Sequence, residues 1–178
     1  MFARTERLLL RPAWAEDSHT LFRAIGDERI VRNLATAPWP YMPEHAACWT
    51  QAARSPDRPA ALIFKRDSGA PELIGGIGIH DTPDGAVELG YWIARTHWGR
   101  GYATEAGRAV VDMARHGIGA PRLHGRHMVD NPASGGVLRK LGFVETGTGT
   151  IDCLARGAEV ACVTYELDLS APSLAIAA

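Results

Sequence analysis

The sequence predicts a single α/β (α+β) domain: one mixed central sheet with helices flanking it. Three observations predict this. A chain of 178 residues fits one domain and can bury a core without disulfides or metal. The predicted elements run strand, two helices, three-strand meander, helix, strand, helix, two strands, and such interleaving places helices over a sheet. No internal repeat or low-complexity linker divides the chain, so one domain is expected over residues 1–170, with a small apolar tail, 171–178, that frays.

The elements follow in order. Glu6–Arg11 is a short apolar run stopped by Pro12. Ala15–Ile25 reads as a helix, with Leu21, Phe22 and Ile25 apolar behind a polar first turn of Glu16, Asp17 and Ser18. Pro43–Ala53 opens with proline, which suits a first helical turn. Ala60–Lys65 and Leu73–His80 are strands separated by DSGAPE, a hairpin loop; the turn Thr82–Gly85 leads into a third strand, Ala86–Ala94. Thr104–His116 carries Ala106, Val110, Val111 and Ala114 at helical spacing, with Gly117 and Gly119 as a stop. Arg122–Val129 is a further strand. Asn131 and Pro132 open a helix in cap-then-proline order, and Lys140-Leu141-Gly142 closes it. Phe143–Thr146 and the alternating Val160–Leu169 are the last strands.

Composition narrows the function. The chain is 46% hydrophobic and 22% charged with a formal net charge of -1, so it lacks the basic footprint of a nucleic-acid binder. Cys48, Cys153 and Cys162 lie far apart without a CxxC pair, which fits a reduced, cytoplasmic protein. Only Leu8–Leu10 precede Arg11 and Pro12, too little for a signal-peptide core, and no stretch approaches the roughly 20 apolar residues of a membrane helix. The histidines show no HExxH and no Cys/His cluster, so no metal is expected.

The run WGRGYATEA, Trp98–Ala106, carries the chemistry. It follows a predicted strand and opens a predicted helix. Two glycines one residue apart let the backbone turn tightly, successive amides point into the concavity, and the helix start adds partial positive charge: an anion site suited to phosphates. The turn contains neither GxGxxG nor GxxxxGK[ST], and no GxSxG elbow occurs, so nucleotide hydrolysis and serine-hydrolase chemistry lack support.

With GYWI (Gly90–Ile93) before it and ATEA (Ala103–Ala106) behind, Trp98-Gly99-Arg100-Gly101-Tyr102-Ala103 resembles the [QR]xxGx[GA] cofactor turn of the GNAT superfamily of N-acetyltransferases, in particular the branch of ribosomal-protein N-terminal acetylases. Trp98 departs from the first position. Downstream, DNPASGGVLRKLGF (Asp130–Phe143) resembles the family pattern NxxSxxxLxKxGF. The resemblance covers nearly the whole chain. It implies acetyl-CoA as cosubstrate, its pyrophosphate held by the backbone of Gly99, Arg100, Gly101, Tyr102, Ala103 and Thr104. It also implies two neighbouring strands, Glu88–Ala94 and Arg122–Val129, that splay to admit the pantetheine arm. An amide near Trp92 or Ile93, freed by that splay, would meet the oxyanion; the alternative is a regular ladder. Asn131 would contact the cofactor or simply cap its helix. The family often places a tyrosine seven residues after this asparagine as acid for the thiolate. Here that residue is Leu138, and Ser134 is the substitute the branch implies; the alternative is a solvated helix serine.

For the base, Glu88 stands out as a carboxylate in an otherwise apolar strand. With few partners it would suit proton removal near neutrality; otherwise it is an exposed strand residue. Alternation puts Glu88, Gly90 and Trp92 on one face, with room above Gly90 for substrate or water. His80 is the runner-up base. Trp39, Tyr41 and Trp49, among prolines, could wall an acceptor pocket or simply pack. The Gly135-Gly136 pair weakens its helix by about 1 kcal/mol per glycine. The expected partner is an amine, either a protein N-terminus or a small amine such as an antibiotic or polyamine, with a CoA-binding sensor as the non-catalytic alternative. An edge strand near the C-terminus could pair two subunits.

Overall fold

The computed structural model describes residues 1–66, 69–117 and 121–170. Asp67 and Ser68 of the expected hairpin loop, Gly119 of the expected helix stop, and the tail 171–178 lie outside the described residues.

The chain runs β1 (Ala3–Arg4), β2 (Leu8–Arg11), α1 (Ser18–Ile25), α2 (Glu28–Val31), α3 (Pro43–Gln51), β3 (Ala60–Lys65), β4 (Glu72–Asp81), β5 (Val87–Ile93), α4 (Tyr102–Gly117), β6 (Arg122–Met128), α5 (Pro132–Lys140), β7 (Val144–Cys153) and β8 (Ala158–Asp168). All eight strands join one sheet in the order β1-β2-β3-β4-β5-β6-β8-β7. Every neighbouring pair is antiparallel except β5 and β6, which are parallel.

A core lies on each face of the sheet. On one face α4 buries Tyr102, Ala106, Val110, Val111 and Ala114 against Leu8, Leu10, Ile74, Leu89 and Ile93, and α5 adds Leu138 and Leu141. On the other, Leu21 and Ile25 of α1, Ile30 and Val31 of α2, and Ala46 of α3 pack on Leu62, Phe64 and Leu73. These contacts are the i, i+4 apolar stripe of each helix meeting one face of alternating strands. Among the described residues no helix is long and apolar enough to cross a membrane.

Several boundaries differ from the sequence expectation. The first strand splits into β1 and β2, with the Thr5 amide bonded to the Leu8 carbonyl between them. Helix α2 was absent from the expectation; it is a single turn, too short to show periodicity, started by the Asp27 carboxylate accepting from the Arg29 amide. Strand β7 runs to Cys153, well past the expected Thr146. It is the exposed edge of the sheet, so its TGTGTID stretch carries no apolar alternation, although threonine favours extended backbone.

Arg11 and Asp17 pin α1 to the sheet. The guanidinium lies between the rings of Trp14 and Phe64, 3.8 and 4.2 Å from their centroids, and donates to both Asp17 oxygens at 2.7 Å. Burial alone would raise the Asp17 pKa. The Arg11 hydrogen bonds, the Trp14 amide and the Arg11 charge outweigh it, so the group titrates below 3.8. Its stabilising contribution is therefore complete above pH 3.8 and fades as pH falls through the depressed folded value. Asp17→Asn strands the Arg11 charge and should cost about 3 kcal/mol. Thermal melts of both proteins should show a lower Tm for the variant at neutral pH and a gap that narrows in acid; equal Tm values at pH 7 would discount the pair.

Candidate functional site

Beyond β5 the chain makes one 3-10 turn and reaches the glycine turn. Gly99 and Gly101 take φ values of +72° and +78°, the left-handed region that side chains disfavour. The Glu105 amide closes the first turn of α4 on the Gly101 carbonyl, so the helix starts two residues earlier than Thr104. Among the described residues none accepts a hydrogen bond from the amides of Gly99 to Thr104. The Tyr102 and Thr104 side chains are buried, which leaves their amides rather than their side chains for a ligand. A Cβ at Gly99 would meet nothing within 4 Å, so the concavity is open.

The turn is braced from the N-terminus. Arg7 donates through Nη1 to the Arg100 carbonyl at 3.1 Å and through Nε to Glu105 at 2.7 Å, and it stacks on Tyr102. Burial alone would raise the Glu105 pKa, but hydrogen bonds from Thr5 and from the Arg7 backbone and side chain hold it below its usual value. Trp98, the departure from the family pattern, donates its indole Nε1–H to the Ile93 carbonyl at 2.6 Å and fastens the turn to the end of β5.

Strands β5 and β6 share one bridge, Glu88 to His124, and then part. The β4–β5 ladder decides which amides face the gap. Ala94 donates to the Ile74 carbonyl and Thr82 to the Ala86 carbonyl, so even-numbered β5 residues pair with β4. The Trp92 amide therefore points to β4, which corrects its place as a candidate oxyanion donor. The amides of Tyr91 and Ile93 face β6, where the ladder has ended. The Trp92 side chain lies on the α1–α3 face over Gly76, whose missing Cβ would stand 2.6 Å from the indole nitrogen.

On that same face Glu88 is buried at 7% exposure. The expectation of a carboxylate with few partners is corrected: Oε2 accepts from Arg126 Nε at 2.6 Å, and Oε1 lies 4.0 Å from His80 Nε2. The expected space over Gly90 is also filled. The His80 ring, half-exposed, puts Cε1 3.1 Å from where a Gly90 Cβ would be. Glu88, His80 and Arg126 form one row beside the gap.

On the opposite face Asn131 stands at the head of α5 but makes no side-chain capping bond, and its φ of -122° and ψ of 61° lie outside the helix. Ser134 in the first turn is half-buried against Tyr91 of β5: the Tyr91 phenol lies 2.8 Å from Ser134 Oγ and donates to the Ser134 carbonyl at 3.0 Å. Burial pushes the Tyr91 phenol up to about 12, opposed by the Ser134 hydrogen bond and assisted by nearby Tyr165. Leu138 is fully buried over Gly125 in the core. Gly135 has a steric reason: a Cβ there would stand 2.5 Å from His127 Nε2 and 3.1 Å from the Tyr165 hydroxyl, so only glycine lets this turn settle on the sheet. Gly136 meets nothing within 4 Å.

The fold has known counterparts. Residues 7–144 match the family model of the acetyltransferase (GNAT) domain. The chain belongs to the GNAT acetyltransferase family. It is 30% identical over 155 residues to YoaA, an uncharacterized N-acetyltransferase of Bacillus subtilis, covering 80% of this chain and 82% of that one. Its fold is similar to a GNAT-family acetyltransferase from Bacillus anthracis, with a TM-score of 0.80, 18% identity, and coverage of 96% of this chain and 100% of that one. It is also similar to RimL, a ribosomal L7/L12 alpha-N-protein acetyltransferase in complex with coenzyme A, with a TM-score of 0.76, 21% identity, and coverage of 97% and 100%. Among the described residues no group of His, Cys, Asp and Glu gathers to hold a metal.

Within this GNAT site, sequence reasoning missed Tyr91, Arg126 and Arg7. Tyr91 left a signal, a lone hydroxyl at the odd-numbered, core-facing positions Val87, Leu89, Tyr91 and Ile93. Arg126 and Arg7 left none, since their partners are distant in sequence. The glycine turn yields a direct check. Little but Arg7 lies near a Gly101 Cβ, so Gly101→Val acts mainly through backbone strain of about 1–2 kcal/mol. Calorimetric CoA affinity should fall about tenfold or more, and Arg100→Ala should cost less because its amide remains. Parent-like affinity in Gly101→Val would remove this turn as the phosphate cradle.

Proposed function

We propose that this protein transfers an acetyl group from acetyl-CoA to a primary amine, a protein N-terminal amine first among candidates, by direct attack in a ternary complex. One observation carries the reading: the unpaired Ile93 amide faces a gap in the sheet, and the same strand leads straight into the open glycine turn. Acetyl-CoA, when bound, supplies the activated acyl group.

The chain's residues divide the remaining work. Amides from Gly99 to Thr104, at the positive end of α4, hold the pyrophosphate. The Ile93 amide donates to the thioester oxygen as it gains charge, and Trp98 fixes the same residue through the carbonyl of the following peptide. Asn131, its carboxamide uncommitted to capping, contacts the cofactor. Ser134 protonates the departing sulfur. On the other face Glu88 receives the amine's proton through Oε1, directly or through water, with His80 as the exposed group beside it. Holding both reactants in attack geometry contributes several of the roughly 7–11 kcal/mol that orientation can supply. The protein-amine acceptor is supported by the likeness to the ribosomal-protein acetyltransferase. A screen of thiol release against small amines and peptides with different N-termini tests it. Turnover on peptides supports the reading, turnover on small amines alone replaces the acceptor, and CoA binding without any turnover indicates a sensor.

The base is tested separately. An α-amino group titrates near 7.7–8.0 and a side-chain alkylamine near 10.4, so either is partly protonated at pH 7. Glu88→Gln should lower kcat/KM most near neutrality and recover partly at high pH, with thermal melts confirming that the variant survives loss of the Arg126 ion pair. His80→Ala should do less. If Glu88→Gln keeps the parent's pH–rate profile, Glu88 is not the base.

A further inference from the structure

A bare serine is a poor acid. Its hydroxyl is about as weakly acidic as water, so charge building on Oγ as the proton leaves needs a donor nearby. The residue usually placed for this task is Leu138 here, and it is buried in the core. The phenol found beside Ser134 comes from a different element, strand β5, 43 residues away in sequence.

We infer that Tyr91 is a positioning residue for the leaving-group step: its hydroxyl aims the Ser134 proton at the departing sulfur and then stabilises the Ser134 oxygen. The inference rests on the reading of Ser134 as the acid. A phenol has one proton, and two Ser134 oxygens lie within its reach: the carbonyl at 3.0 Å and Oγ at 2.8 Å. When Tyr91 donates to the carbonyl, Ser134 can spend its own proton on the phenol oxygen. When the phenol hydrogen turns to Oγ, the serine proton is released to point elsewhere. The change is a rotation of two hydroxyls with no heavy-atom movement.

The step balances. The amine nitrogen bonds to the acyl carbon and gives one proton to the base on the α1–α3 face. The carbon–sulfur bond breaks with its electron pair on sulfur, and sulfur takes the Ser134 proton. As the serine proton leaves, Oγ draws on the Tyr91 proton along their hydrogen bond, so the charge is spread over both oxygens until solvent returns the proton released by the amine. The placement is rigid because Gly135, the next residue after Ser134, sits against His127 and Tyr165, and Tyr165 in turn accepts from Arg139 at 2.9 Å.

The test is a double-mutant cycle of Tyr91→Phe and Ser134→Ala in the intact chain, read as single-turnover acetyl transfer so that product release is excluded, with thermal melts and CoA affinity as controls. Ser134→Ala should reduce the rate about 10²-fold or more. Tyr91→Phe, which removes only the hydroxyl, should reduce it about tenfold to hundredfold with CoA affinity unchanged. The double variant should be no slower than Ser134→Ala alone, because Tyr91 acts through that serine. Independent, multiplying losses, or a Tyr91→Phe enzyme at the parent's rate beside a slow Ser134→Ala, would overturn the role of Tyr91 and leave Ser134 standing. A Ser134→Ala enzyme at the parent's rate would remove the serine, and this inference with it.

Discussion

The single bridge between Glu88 and His124 governs the rest of the molecule. A sheet of eight strands normally satisfies its backbone groups by continuous pairing, and buried amides without partners are costly. Here pairing stops at the centre of the sheet rather than at an edge. The amides of Tyr91 and Ile93 are left facing a gap, and a ligand that enters it finds donors already aimed. The glycine turn lies at the end of the same strand, so the turn and the free amides are held in one rigid relation. Trp98 fixes that relation by bonding back to Ile93.

An interrupted sheet would come apart if backbone pairing alone joined its halves. Among the described residues, two side-chain links bridge β5 to the elements beyond the gap, one on each face. Glu88 and Arg126 close it on the α1–α3 face. Tyr91 and Ser134 close it on the α4–α5 face, through the first turn of α5. At the far end Arg156 of the β7–β8 connection donates to the Arg32 carbonyl and to both oxygens of Asp130, and Leu154 donates to the Ala35 carbonyl. The α2 segment is thereby fastened to the strands beyond the gap. These links are polar because they line an opening that must stay accessible, where an apolar seam would pack shut.

The sequence made the backbone features legible and hid the cross-chain ones. The order of elements and the tight glycine turn followed from local pattern: turn residues and helical spacing. The splay was legible through the family resemblance. The partners of Glu88 and Ser134 were not, since Arg126 lies 38 residues from Glu88 and Tyr91 lies 43 residues from Ser134, and no local rule couples them. Gly90 misled for a related reason. An absent side chain was read as room for a substrate, but the ring of His80 on the neighbouring strand occupies it. Gly135 is the converse case, unexplained by helix propensity and explained by two rings beneath it.

The same gap also separates two proton chemistries. The α1–α3 face presents Glu88 in an ion pair, with His80 beside it; the α4–α5 face presents two hydroxyls, Ser134 and Tyr91. Side chains on alternate positions of β5 point to opposite faces, so Glu88 and Tyr91 cannot meet although they are three residues apart. A carboxylate facing the serine would accept its hydrogen bond in the resting state and turn it away from sulfur. In the proposed mechanism, placing the two groups on opposite faces of one strand keeps the proton-accepting and proton-donating sides apart, with the acyl carbon reached from both through the gap. One pleated strand, unpaired along part of one edge, is sufficient to arrange this.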